Sequence, residues 1–87
     1  MKTYYALHIR QSDKSCDWIG EVIGSQDGIL RIQIIDAMLG TGCGIWELTS
    51  EVKDVPKNEC RMFLDNIDCL EAGIRINNHV FPRKANQ

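Results

Sequence analysis

The stretch "DWIGEVIGSQDGILRIQIID", residues 17–36, sets two apolar runs on either side of Asp27-Gly28. Asp-Gly between alternating apolar residues marks a β-hairpin, because glycine takes the positive φ of a tight turn without steric cost. The side chains then choose the register. A loop of Asp27 and Gly28 alone sets Glu21 opposite Ile34 and Val22 opposite Gln33, mixing polar and apolar residues on both faces. A three-residue loop of Gln26, Asp27 and Gly28 pairs Glu21 with Gln33, Val22 with Ile32, Gly20 with Ile34 and Trp18 with Asp36. This second register gathers Trp18, Val22, Leu30, Ile32 and Ile34 on one face, and a one-residue slip would turn them all over. The three-residue loop with a left-handed Gly28 is therefore the expectation. Gly20 and Gly24, on the face of Val22, predict a strongly bent strand, as in a small barrel or curled sheet.

The flanking segments extend the sheet. "TYYALHI" (3–9) alternates, with Tyr5, Leu7 and Ile9 on one side and Tyr4, Ala6 and His8 on the other, the period of a strand. His8 is read as a surface or rim histidine, since the sequence places no second titratable group beside it. "RQSDKSCD" is a polar loop, and "GIWELTS" (44–50) alternates as a further strand. In "EVKDVPKNECRMFLDNIDCLEAG" (51–73) the period changes: Cys60, Phe63, Leu64, Ile67 and Leu70 fall at offsets 0, 3, 4, 7 and 10. That spacing predicts an amphipathic helix near residues 57–72, with Pro56 at its first turn, Asp54 or a neighbour as cap and Gly73 as its stop. A competing reading makes "ECRMFL" a strand, because Cys60, Met62 and Leu64 also alternate. It leaves a shorter helix capped by Asp65 and ended by the same glycine. "IRI" and "HVF" then read as short strands before a polar tail from about residue 82. The expected fold is α+β: a small antiparallel curled sheet or partly open barrel of four to six strands with one amphipathic helix, in a single domain over residues 1–87. Curled sheets of this size include SH3-like and OB-like folds, and such an analogy by itself defines no activity.

The segment "LGTGCGIW" (39–46) is the one place where glycines resemble chemistry. Phosphate cradles run from glycine-rich backbone into a helix whose first amides face the anion. Here a strand pattern follows instead. Glycines at 40, 42 and 44 do not complete GxGxxG, GK[ST] is absent, and Thr41 and Ile45 stand where a nucleophile elbow around Cys43 needs glycine. Gly40, Thr41, Gly42, Cys43 and Gly44 are read as a mobile connection between strands and a candidate contact loop.

Composition narrows the partners. A hydrophobic fraction of 44% and a charged fraction of 25% are those of a globular domain. The net charge of -2 supplies no field for phosphates, which disfavours nucleic acid. A barrel surface stacking single strands on Tyr4, Tyr5, Trp18 and Trp46 is a lesser alternative. The N-terminal stretch is too short and polar for a signal peptide, and no run reaches the roughly 20 apolar residues of a membrane span. A cytoplasmic protein with no membrane association is expected, with its cysteines as thiols. Cys16, Cys43, Cys60 and Cys69 are separated by 27, 17 and 9 residues, without the close ligand pairs of structural zinc. Neither a metal nor a cofactor is expected, and no catalytic residue is assigned. An enzyme using the Cys43 thiol with His8 or His79, or the carboxylates Glu47, Asp65 and Asp68, is the alternative.

The functional expectation is a small non-enzymatic protein-binding module or inhibitor acting by surface contact. The second face of the hairpin carries Ile19, Ile23, Ile29 and Ile35 beside Glu21, Arg31 and Gln33, too apolar for a fully solvated face. Met62 adds an apolar residue on the outer side of the expected helix. Burying four isoleucines contributes about 6 to 10 kcal/mol before association costs. Ile19, Ile23, Ile29, Arg31, Ile35 and Met62 are therefore the candidate contact residues for a homodimer or another protein partner.

Overall fold

Asp27 and Gly28 both take left-handed backbone, with φ of 55° and 79°, and Gln26 pairs with Ile29 across them. The hairpin therefore closes in a two-residue turn of primed type, whose twist suits the flanking strands. This corrects the expected three-residue loop. The computed structural model describes residues 2–38 and 43–82, with backbone alone for 36–38, 43–48 and 50. Its strands are β1 (Tyr5–Ile9), β2 (Cys16–Gln26), β3 (Ile29–Met38), β4 (Cys43–Pro56) and β5 (Cys60–Phe63), followed by one α-helix, α1 (Asn66–Val80). Beyond the turn the register shifts between Val22 and Gly24, and then Val22 meets Ile32, Glu21 meets Gln33 and Gly20 meets Ile34. These three are among the pairs expected from the sequence, while nearer the turn Gly24 meets Arg31 and Ser25 meets Leu30. The residue assigned to the loop sits instead at a bulge on Ile23, where it bends the strand.

The five strands form one antiparallel sheet in the order β4-β3-β2-β1-β5. The sheet is not closed, yet its two outer strands are joined by only a 3-10 turn, Lys57–Glu59. Four residue steps from Pro56 to Cys60 reach at most ~14 Å, whereas the edges of a flat five-stranded sheet stand ~19 Å apart. The sheet must roll. Gly20 permits the roll, since a Cβ there would lie 2.4 Å from both the Gln33 carbonyl oxygen and the Ile32 Cγ2.

Rolling gives the sheet two different faces. The concave face holds Ala6, Leu30, Ile32 and Ile34, with Trp18, Val22, Val55, Cys60 and Met62 packed around them. Residues from both outer strands meet there, so this face is buried without a second layer. The convex face carries Leu7, Cys16, Ile19 and Ile35, covered by Cys69 and Leu70 of α1. The helix lies on β2, β1 and β5.

The helix corrects the sequence reading in three ways. Residues 60–63 are a strand paired with β1 (Ala6 with Met62, His8 with Cys60), as the competing reading had it. The main-chain groups on that side of β1 take β5 as their partner, and this outweighs the local helical spacing. The helix is capped by Asp65, whose Oδ1 accepts the Ile67 N–H at 2.7 Å, and not by Asp54. It runs through Gly73 to Val80, with Gly73 buried, so the expected strands at "IRI" and "HVF" are helix. Its last turns are held by Asn77, whose side-chain amide donates to the Cys16 carbonyl at 3.0 Å and accepts the Cys16 N–H at 2.8 Å. The Asn77 side chain acts as one more strand residue beside β2.

Candidate functional site

His8 points to the concave side with Ala6, opposite Trp18 on β2 and Cys60 on β5. After His8 the register slips, so that Ile9 pairs with Cys16 and Asp17 is left over as a bulged residue. Such a bulge re-aims a side chain. Asp17 reaches back to His8, its Oδ1 accepting from Nδ1 at 2.7 Å. The other ring nitrogen, Nε2, lies 2.9 Å from Oε1 of Glu59, which the 3-10 turn delivers. The ring stacks flat on Trp18, with centroids 4.7 Å apart and planes 4° from parallel. The side chains are only 13% (His8), 21% (Asp17) and 31% (Glu59) exposed.

The chemistry follows from the donor count. A neutral imidazole donates from one nitrogen and presents a lone pair at the other, while the imidazolium donates from both. Two carboxylates facing two ring nitrogens offer an acceptor on each side of the ring, whichever nitrogen carries the proton, and Trp18 covers its face. Each ring nitrogen of His8 thus faces a carboxylate oxygen rather than an open site. The cluster ties β2 through β1 to the turn linking the sheet's two edges. It was not legible in the sequence: Glu59 lies 51 positions away, and Asp17 faces His8 only because of the bulge.

The described thiols are equally unsuited to nucleophilic work. Burial pushes Cys16 and Cys69 up to about 12 and Cys60 up to about 11, so all three are protonated at neutral pH. Cys16 also donates to the Trp18 carbonyl at 3.4 Å. Among the described residues no three His, Cys, Asp or Glu side chains come together to hold a metal ion. No helix among them is long and apolar enough to cross a membrane.

The other candidates fall in different places. Gly40, Thr41 and Gly42 lie outside the described residues, while Cys43 and Gly44 begin β4, with Cys43 paired to Met38. The glycine segment thus joins two antiparallel strands and opens no helix. Asp65 is the helix cap, Asp68 is exposed on the first turn of α1, and His79 borders a groove beside the last turns of α1. Of the candidate contact residues, Ile19 (0% exposed) and Ile35 (4%) are core beneath the helix. Met62 belongs to β5 and packs on the concave core, which corrects its placement on an outer helix face. Ile23 and Ile29 are exposed on the hairpin. Arg31 beside them pairs with Asp54 through two contacts of 2.9 and 3.2 Å. That hydrogen-bonded pair raises the Arg31 value and lowers that of Asp54. Trp18, a candidate stacking platform, is taken by His8. No protein-family model matches the chain, and no curated protein or solved structure shows significant similarity to it.

Proposed function

We propose that this protein is a non-enzymatic binding module that works through the convex face of its central hairpin, with a second copy of itself as the partner. The reading rests on one observation: Ile23, Ile29 and Val52 are 47%, 41% and 48% exposed on the part of the sheet that α1 does not reach. Ile23 and Ile29 line a shallow recess of about 500 Å³ with Arg31 and Asp54. An apolar centre beside an oppositely charged pair is self-complementary under a twofold axis: Arg31 of each copy can meet Asp54 of the other while the isoleucines pack between them. Contiguous apolar surface of this kind marks contact sites. The engaged ring of His8 and the protonated thiols favour binding over catalysis.

Light scattering on the purified chain at micromolar concentration tests the proposal. A mass of two chains is expected, falling to one in Ile29→Glu with the circular dichroism unchanged. A mass of one chain at every concentration, in protein free of any other partner, overturns the self-association.

A further inference from the structure

A second surface, on the opposite side of α1 from the hairpin recess, has a different chemistry. The groove beside the last turns of the helix holds about 540 Å³. Ile9, Ile76 and Val80 make its floor, Lys14, Arg61 and Arg75 are its cations, and no carboxylate is among its lining residues. Neither arginine makes an ion pair or side-chain hydrogen bond among the described residues. Lys14 makes only a 3.5 Å hydrogen bond to Gln11. In a chain of net charge -2, three cations around an aliphatic floor, none in an ion pair among the described residues, are a local reversal of sign. Asp68 and Glu71 line a neighbouring recess that shares Arg61 and Arg75, so an incoming anion is favoured at the Lys14 end. One of its cations, Arg61, stands on β5, an outer strand paired only with β1 among the described residues.

We infer that this groove receives an extended acidic peptide segment of a partner protein, added as a strand along β5, with aliphatic side chains on Ile9, Ile76 and Val80 and carboxylates beside Lys14, Arg61 and Arg75. The charge selects an acidic ligand. The strand edge selects a peptide over a fatty acid, because only a peptide has main-chain groups to pair with β5. Alternation along an extended chain brings every second side chain to the convex face, where Arg61 stands. The inference rests on the binding-module reading, but on a surface separate from the hairpin face.

The test uses fluorescence anisotropy with a labelled nine-residue Leu/Glu peptide in which Leu and Glu take turns at every second position with Ser between them, so that both fall on one face of the strand, its Leu/Lys counterpart, and the Leu/Glu peptide N-methylated at alternate residues. The Leu/Glu peptide is expected to bind, and Arg61→Glu and Arg75→Glu each to weaken it at least tenfold. Neither arginine has an internal partner to lose, and Arg75→Gln serves if the reversal disturbs folding. Arg31→Glu, on the hairpin face, is expected to leave the peptide's affinity unchanged whatever it does to self-association, which separates this inference from the dimer. Equal binding of the Leu/Lys peptide, or indifference to both arginine variants, overturns the proposal. So does undiminished binding of the N-methylated peptide, or displacement of the Leu/Glu peptide by dodecanoate at equal concentration.

Discussion

At the scale of single residues, His8 shows how one side chain is committed by its neighbours. Its two nitrogens answer two carboxylates that have few other partners, Asp17 and Glu59. Removing the ring strands both carboxylates in a half-buried place and exposes the face of Trp18. Losing one partner of a buried polar network costs more than the network is worth against an apolar replacement. His8→Ala should therefore destabilise the protein by about 2 to 3 kcal/mol, a value below that of fully buried pairs because the site is partly solvated. Equilibrium urea unfolding measures it. Adding Asp17→Asn and Glu59→Gln to the His8→Ala background should return part of the loss, since no charge is then left unpaired. A loss under about 0.5 kcal/mol, the range of ordinary surface changes, would show that the cluster does not hold the turn to β1 and β2.

At the scale of elements, the docking of α1 on β2 depends on one amide. Asn77 supplies both a donor and an acceptor to the main chain of Cys16, where β2 begins. Asn77→Ala leaves two main-chain groups without partners and should cost about 1 to 3 kcal/mol. Hydrogen exchange at the Cys16 amide should speed up by more than the global loss of stability predicts, because the helix end lifts locally; protection that falls only with global stability would contradict a local clamp. The same element shows where sequence reading succeeds and fails. The hairpin was legible because Val22, Ile32 and Ile34 must share a face whichever residue is looped out. The position of the extra residue was not, since Ile23 is as apolar in a bulge as in a ladder. Cys60 through Leu64 satisfy periods of 2 and 3.6 alike, and only the open side of β1, 50 and more positions upstream, decides between them. Gly73 reads as a helix stop by its conformational freedom, yet it lies buried inside α1. Asp65, a local cap, was found by the competing reading because capping is a short-range property.

For the whole molecule, the thiols set an upper limit to the pH range of the fold. Cys16 and Cys69 sit together between sheet and helix, and burial raises both from 9.0 to about 12. Above pH 9 the unfolded chain releases these protons while the folded chain keeps them. The unfolded state then binds fewer protons, so stability falls as pH rises. Their contribution is fully present below pH 9 and is lost progressively as pH climbs to about 12, at a limiting slope of about 1.4 kcal/mol per pH unit for each thiol. The acid side runs the other way: Arg31 holds the Asp54 carboxyl below its ordinary 3.8, and hydrogen bonds from Ser15 do the same for Asp13. Those contributions persist above pH 3.8 and fade as pH drops through the lowered values, and both groups are solvent-facing, so the acid limb is shallow. Urea unfolding at steps between pH 7 and 11 should show a plateau to pH 9 and then a decline. Cys16→Ala with Cys69→Ala lowers stability at pH 7 by opening the core, but it should flatten the decline above pH 9. If the double variant falls as steeply as the native chain, the alkaline limit belongs to other groups and the two core thiols are only packing.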